Sequence, residues 1–461
     1  PRETPYKLRD GKGLYLEVRP TGKKVWRYRY RVGASENIFT IGEFGDRADQ
    51  YTVATAREER DNARKLVKQG LHPGHQRKAA VRATVAEGKN TFRAVASDWL
   101  DESKPSWSAK YLDNVERALD KVILHKMHAG GAFGRRTAFN EFTKQAIKIA
   151  QTMPGTPVRL QWSREEDMAQ GKFHPVTQCK LTGAFDADNN LTALHVRLSG
   201  QSILFSVRPA ALVNGMDPAA FQGLSPSGDA AIGYSVPNLL VEHAMRNPHV
   251  PPGFWRGVNV NQNAIYLECF MDELAQSVGQ DPVEFRRKLM SKHPKHLAVL
   301  NAVAEKIGWG TPTPQGVYRG IAQVMGYGSY VAGAAEISVS EGSKIKVHRI
   351  VASTDPGYVV NPAQIERQIA GSFVYGLSAL FYGGCTVKDG KIEQTNFDTY
   401  NSMRIAEMPK VECVMVPSGG FWGGVGEPTI CVAAPAVLNA VYAATGKPIH
   451  TLPLKNVSLR T

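Results

Sequence analysis

The sequence predicts an α+β protein made of unlike pieces. A small three-stranded sheet plus helix at the N-terminus leads into a short helical segment, then a large mixed α+β region. Three observations carry this prediction. Charge is uneven: residues 1–90 hold 20 Lys and Arg against 11 Asp and Glu, a net of +9, whereas residues 91–461 hold 36 against 31, a net of +5. The basic stretch alternates with period two before a capped helical pattern begins. Beyond about Val122, capped helices and alternating strands follow one another in mixed order. At 461 residues the chain has room for about two to four domains.

Within the basic piece, Leu14-Tyr15-Leu16-Glu17-Val18 and Val25 to Val32 alternate around the turn residues Pro20-Thr21-Gly22, which predicts a β-hairpin. Asn37 to Ile41 supplies a third strand. The second strand sends Trp26, Tyr28, Tyr30 and Val32 to one face and Arg27, Arg29 and Arg31 to the other, about 6.6 Å apart at the usual strand rise. Three guanidiniums in a row can grip phosphates, because each offers a planar fork of donors. The same alternation also suits a solvated outer sheet face. A helix is predicted from N-cap Thr52, with Val53, Ala56, Ala63, Leu66 and Val67 packed and Gly70 as its stop. Residues 76–90 read as a charged linker.

Beyond residue 122, Asp281-Pro282-Val283-Glu284 is a helix start with Pro at its first position. Asn361-Pro362 opens another, with Ile365, Ile369, Phe373, Leu377 and Leu380 as its apolar stripe, and Pro435 to Ala444 makes a third ending near Gly446. Ala335 to Val339 and Lys346 to Val351 read as strands around Glu341-Gly342. Two glycine-rich loops stand out. Gly130-Gly131-Ala132-Phe133-Gly134-Arg135-Arg136 lets backbone approach a ligand, and no GK[ST] follows to make it a phosphate loop. Gly419 to Pro428 sets one carboxylate, Glu427, among glycines and apolar groups. Desolvation there makes it a candidate general base, though a carboxylate in such a loop is more often simply bonded to backbone N–H groups.

Other classes are set aside on composition. No apolar run long enough for a transmembrane helix is expected, and Pro1 to Pro5 shows no apolar h-region of a signal peptide. Cys179, Cys269, Cys385, Cys413 and Cys431 are odd in number, scattered and never CxxC. They are read as buried thiols rather than a disulfide framework, zinc ribbon or iron–sulfur site.

Several motifs carry family resemblances. Pro5-Tyr6-Lys7-Leu8-Arg9-Asp10-Gly11, Gly13-Leu14-Tyr15-Leu16, Trp26-Arg27-Tyr28-Arg29-Tyr30 and the Ala56 to Gly70 helix resemble the N-terminal arm-binding domain of phage-type tyrosine-recombinase integrases. Thr91-Phe92, Trp99-Leu100, Trp107-Ser108 and Tyr111 are similar to the start of that family's core-binding domain. The resemblance implies domains at 1–88 and 89–122, with duplex DNA bound through residues 1–90 and Arg27, Arg29 and Arg31 as DNA contacts. The integrase catalytic domain is missing. His243-Ala244-Met245-Arg246 fits a His-x-x-Arg pattern only as a short chance match, so no working recombinase is expected.

Residues 123–461 resemble a different family. The Gly130–Arg136 loop, Gly200-Gln201-Ser202-Ile203, Phe254-Trp255-Arg256-Gly257-Val258, Asp272-Glu273-Leu274-Ala275 and Gly424-Val425-Gly426-Glu427-Pro428 occur in family order. They resemble the molybdenum-binding subunit of the xanthine dehydrogenase/aldehyde oxidase superfamily, in the branch of isoquinoline 1-oxidoreductase beta subunits. The resemblance implies a molybdopterin-binding hydroxylase region using molybdenum–molybdopterin cytosine dinucleotide. Glu427 would be the catalytic base, with Gly130, Gly131, Ala132, Phe133, Gly134, Arg135, Arg256, Gly424 and Gly426 at the cofactor. It also implies an iron–sulfur small (alpha) subunit carrying [2Fe-2S] clusters, and N-heterocyclic aromatics or aldehydes as substrates. Ala132 stands where a third glycine is usual, and the family's N-terminal half is replaced by integrase sequence. The leading expectation is therefore an incomplete oxidoreductase region fused to a DNA-binding domain, inactive alone, cytoplasmic and without membrane association. The second is a DNA-binding module carrying an inert passenger.

Overall fold

A computed structural model describes residues 4–32, 35–45, 50–69, 72–74, 130–136, 141–226, 228, 231–340 and 344–454. Gly70, the linker 76–90, the core-binding segment 89–122 and the Glu341-Gly342 turn lie outside the described residues. The chain divides into two compact units, Pro1–Met127 with Ala150–Gly155, and His128–Ile149 with Thr156–Thr461.

In the first unit, strands β1 (Tyr6–Gly11), β2 (Leu14–Val18), β3 (Lys24–Val32) and β4 (Ser35–Glu43) form an antiparallel sheet in sequential order, followed by α1 (Val53–Lys68). The sheet has four strands, where the sequence pattern predicted three. β1 lacks an apolar alternation because it is an edge strand with Lys7, Leu8 and Arg9 exposed. Leu14, Leu16, Trp26, Tyr28, Tyr30, Phe39 and Ile41 make the core with Ala56 and Ala63 of α1. A register shift between Trp26 and Arg27 lets Val25 and Trp26 both be buried. Thr52 caps α1 by accepting from the Thr55 amide at 3.3 Å. Ala56, Arg60 and Ala63 are its buried face. Val53, expected to pack, is 38% exposed; it shares that face, three residues before Ala56, but stands at the very first position of the helix. Asp10 of β1 takes both ends of the Arg57 fork, at 2.9 and 2.8 Å, which holds its carboxyl below the usual range.

Beyond residue 140 the chain forms α2 (Glu141–Thr152), α3 (Arg164–Ala169), β5 (Thr177–Phe185), β6 (Leu191–Gly200), α4 (Ile203–Val207), β7 (Asn238–Met245), α5 (Val260–Ser277), α6 (Pro282–Leu289) and α7 (Pro294–Ile307). Then come β8 (Tyr318–Gly326), β9 (Ser329–Ser340), β10 (Lys344–Asp355), α8 (Pro362–Phe381), the small pair β11 (Val387–Lys388) and β12 (Lys391–Ile392), β13 (Lys410–Met415) and α9 (Ala433–Thr445). One sheet has the order β5-β6-β7, with β6 and β7 parallel. The other has the order β13-β10-β9-β8, with β13 parallel to β10. Helices α5, α7 and α9 pack on this second sheet. β8 is therefore buried without alternation from Gly320 to Gly326.

The predicted caps hold. Asp281 accepts from the Val283 and Glu284 amides, Asn361 accepts from Gln364, and Gly446 ends α9 at φ +67°. The stripe of α8 is buried as predicted. The expectation of no apolar stretch of membrane-spanning length needs correction. Pro428–Thr445 is long and apolar enough by composition, and 78% of it lies inside the fold as a core segment. Within this core sits a charged knot. Arg286 donates to Glu268 at 2.9 Å and Asp272 at 2.5 Å, and neither Arg286 nor Glu268 has any exposed side-chain surface.

Candidate functional site

The Gly130–Arg136 loop turns through left-handed backbone at Gly131 (φ +126°), Phe133 (φ +48°) and Gly134 (φ +100°). Ala132 is not among these positions, so alanine fits where a third glycine is usual. A side chain at Gly134 would bring its Cβ to 2.3 Å from the Phe254 carbonyl oxygen, so this loop lies flat against the Phe254–Val258 turn. The Arg256 amide donates to the Phe133 carbonyl at 3.1 Å. The Phe133 ring, 44% exposed, stacks on Tyr375 of α8 with centroids 4.5 Å apart.

Glu427 comes to the same place. The Gly257 amide donates to Glu427 Oε1 at 3.0 Å, and Arg256 Nε donates to the Gly426 carbonyl at 2.6 Å. Arg256 is buried, with Nη2 reaching the Gln368 carbonyl at 3.0 Å and Ser372 Oγ at 2.9 Å. Burial draws its pKa below the ordinary guanidinium value. Glu427 itself is half-buried rather than enclosed. Upstream, the Gly424 amide donates to Tyr327 O at 2.8 Å and Ser329 Oγ donates to Gly424 O at 2.6 Å. Phe133, Arg256, Gly426 and Glu427 thus join one constellation, although the two loops stand nearly 300 residues apart, while Gly424 is tied to Tyr327 and Ser329 instead.

Strain concentrates here. Val258 is β-branched and sits at φ +45°, and Tyr327 at φ +55°; such conformations persist where surrounding structure enforces them. Arg135 has a separate set of contacts. It lies 3.4 Å from Glu141 and 3.6 Å from Asp167, over the rings of Phe142 and Trp162. Sequence reasoning missed Gln368, Ser372 and Tyr375. Their i, i+4, i+7 spacing on α8, on the face other than the apolar stripe, was the available signal. It also missed Asn261, whose Nδ2 donates to Arg256 O at 2.7 Å.

Among the described residues, no three His, Cys, Asp or Glu side chains gather to hold a metal ion. A cofactor approaching by its own oxygens and nitrogens has suitable backbone to meet. A Cβ placed at Gly130 or Gly426 would find nothing within 4 Å, so both glycines present open main chain beside Phe133 and Glu427. Open main chain of this kind, beside a half-exposed ring and a half-buried carboxylate, has room for the edge of a pterin cofactor. The reading of all five cysteines as buried thiols needs correction: Cys431 is buried, Cys179, Cys269 and Cys413 are half-buried and Cys385 is exposed, and burial pushes Cys179 up to about 12 and Cys413 to about 11.

In the first unit, Arg27, Arg29 and Arg31 lie opposite the buried Trp26, Tyr28 and Tyr30. Arg27 pairs with Glu17 at 3.2 Å, while Arg29 and Arg31 share Glu36 at 3.6 Å each. Register sets Arg9 opposite Tyr15, and Tyr15 opposite Arg27. Arg9 therefore joins the arginine face, and Lys7, two residues earlier, does too. Neither was singled out from sequence, because β1 was not foreseen.

Comparison with known proteins agrees with this division. Residues 1–80 match the Arm DNA-binding domain, and residues 108–290 and 273–409 match two models of the Molybdopterin cofactor-binding domain. The chain is 26% identical over 378 residues to isoquinoline 1-oxidoreductase subunit beta of Brevundimonas diminuta, covering 78% of this chain and 47% of that protein. It is 36% identical over 124 residues to the integrase of Shigella phage Sf6, covering 27% of this chain and 30% of that one. Quinoline 2-oxidoreductase from Pseudomonas putida 86 shares the fold at TM-score 0.59 and 14% identity, over 71% of this chain and 66% of that one. The chain spans about half the length of the oxidoreductase relative it matches. It joins an integrase-type arm DNA-binding domain to a molybdenum-hydroxylase-like region built on molybdopterin cofactor-binding domains.

Proposed function

We propose that residues 123–461 are the C-terminal half of a molybdenum hydroxylase large subunit in which Glu427 is the catalytic base, joined to an arm domain at 1–88 and a partial core-binding segment at 89–122. The observation that carries this reading is the double tie of the Gly426-Glu427 segment to Arg256-Gly257, beside Phe133. Gly130, Gly131, Phe133, Gly134, Arg256 and Gly426 would hold the cofactor by open main chain and ring contact, with Ala132, Arg135 and Gly424 shaping the loops. The cytosine dinucleotide form follows the family resemblance. Bound there, the molybdenum cofactor would supply the oxidant for a two-electron hydroxylation. The chain's own part is proton handling. The Gly257 amide fixes Glu427 Oε1, which orients the carboxylate and leaves Oε2 to take a proton from the attacking oxygen. Substrates would be N-heterocyclic aromatics or aldehydes. Electrons would pass to a separate [2Fe-2S] small subunit.

Residues 1–90 would bind duplex DNA through Arg27, Arg29 and Arg31, and a protein that works on DNA belongs in the cytoplasm. Because one wall of the cradle is present, the isolated chain should hold no stoichiometric molybdenum and show no hydroxylase activity. Co-expression with the missing half and the iron–sulfur subunit should restore both, and Glu427→Gln should then abolish turnover while metal analysis still finds molybdenum. Stoichiometric molybdenum in the isolated chain, or turnover that tolerates Glu427→Gln, would contradict this reading.

A further inference from the structure

We infer that Arg256 is a positioning residue whose guanidinium holds the Gly426 carbonyl, and with it the peptide that presents Glu427, while its main chain ties that peptide to the Phe133 loop. The inference rests on the assignment of Glu427 as base. Two consecutive residues grip two consecutive residues: Arg256 Nε on Gly426 O at 2.6 Å, and the Gly257 amide on Glu427 Oε1 at 3.0 Å. The grip has three further anchors. The Arg256 amide reaches Phe133 O at 3.1 Å, its carbonyl accepts from Asn261, and Nη2 is fastened to Gln368 and Ser372 of α8.

The chemistry argues for a spatial role rather than ion pairing. None of the side-chain hydrogen bonds of Arg256 goes to a carboxylate, yet the residue is only 6% exposed. A buried cation on neutral acceptors is costly to keep. What it provides is a rigid planar fork spanning a loop and a helix, which a lysine ammonium cannot reproduce. The turn it braces is strained. Gly257 sits at φ +91° and Val258 at φ +45°, and a Cβ on Gly257 would come to 2.4 Å from Asn261 Oδ1. Without the clasp this turn would relax and swing the Gly257 N–H away from Glu427.

Hydrogen exchange on the full chain tests this without any bound cofactor. In Arg256→Lys, the Gly257 amide and the 424–427 segment should exchange about tenfold faster, the scale of one lost charge-assisted bond, with α9 unchanged. Ser372→Ala should shift the same amides less. In Arg256→Ala, millimolar methylguanidinium should restore protection and methylammonium should not. A merely structural role would loosen α9 and the sheet as well and give no selective rescue. Unchanged exchange at Gly257 and 424–427 in Arg256→Lys, or loosening spread evenly through the unit, would overturn the inference. If reconstituted complexes gain molybdenum while these amides stay unmoved, the clasp is wrong and the base assignment survives. If the amides loosen as stated but no reconstituted complex uses Glu427, the clasp stands and the proposed function falls.

Discussion

Replacing Arg286 by Met should unfold the larger unit at a markedly lower temperature, and the structure shows where the cost arises. The guanidinium makes bonds to Glu268 Oε2 at 2.9 Å, Asp272 Oδ1 at 2.5 Å, Glu268 O at 2.8 Å and Pro282 O at 3.1 Å. Glu268 would keep donors from Tyr234 OH at 2.6 Å and from the Gln323 amide and side chain at 3.1 Å each. Asp272 would lose its guanidinium, so a buried carboxylate is left unbalanced. Removing one partner of a buried ion pair costs about 3–5 kcal/mol, which for a unit of this size lowers the melting temperature by on the order of 10 °C. Burial already pushes Asp272 up to about 6, so its contribution to stability falls as pH rises from about 4 through 6. In the variant, protonation relieves the unpaired charge, and the penalty should be smaller at pH 5 than at pH 8. Asp272→Leu added to Arg286→Met should recover part of the loss. Scanning calorimetry of the larger unit's transition measures all three. A loss under about 1 kcal/mol at pH 8, the level of an exposed pair, would refute the claim that this knot is a buried ion network.

His296 supplies a second pH test. It is buried with Nδ1 2.7 Å from Gln323 Oε1, and desolvation lowers it to about 4. The native state therefore holds neutral imidazole where the unfolded chain is charged. Its contribution is full above about 6.5 and is lost as pH falls toward 4, and His296→Gln should flatten that slope in denaturant titrations. Arm-domain binding to duplex DNA should fall with salt at a log–log slope of about −3 if three phosphates are neutralised. Alanine at Arg27, Arg29 and Arg31 should remove that slope, and Glu36→Gln, which frees Arg29 and Arg31, should tighten binding in a fluorescence-anisotropy titration. Gly134→Ala should loosen the 130–136 loop, because its Cβ would meet Phe254 O at 2.3 Å on a φ of +100°. Faster proteolysis in that loop, with the unit's melting otherwise kept, is the expected result.

Most local structure, and the division into two unlike pieces, is legible along the chain. Period-two patterning in Val25 to Val32 needs only a strand with one buried face, and Asp281-Pro282, Asn361-Pro362 and Gly446 mark helix ends through short-range bonds their own side chains or backbone make. The gathering of loops at Glu427 was foreseen only through resemblance, since no local rule links residue 133 to residue 427. Tertiary structure alone decided the rest. β1 was illegible because an exposed edge strand needs no apolar alternation, and only its ladder to β2 makes it a strand. Pro428–Thr445 has the composition of a membrane span, and what makes it a core helix is the sheet and helices packed around it. Gln368 and Ser372 look like ordinary polar positions on α8. Their spacing sets them on one face of the helix, but they acquire a role only because packing brings Arg256, more than 100 residues away in the chain, within hydrogen-bond reach.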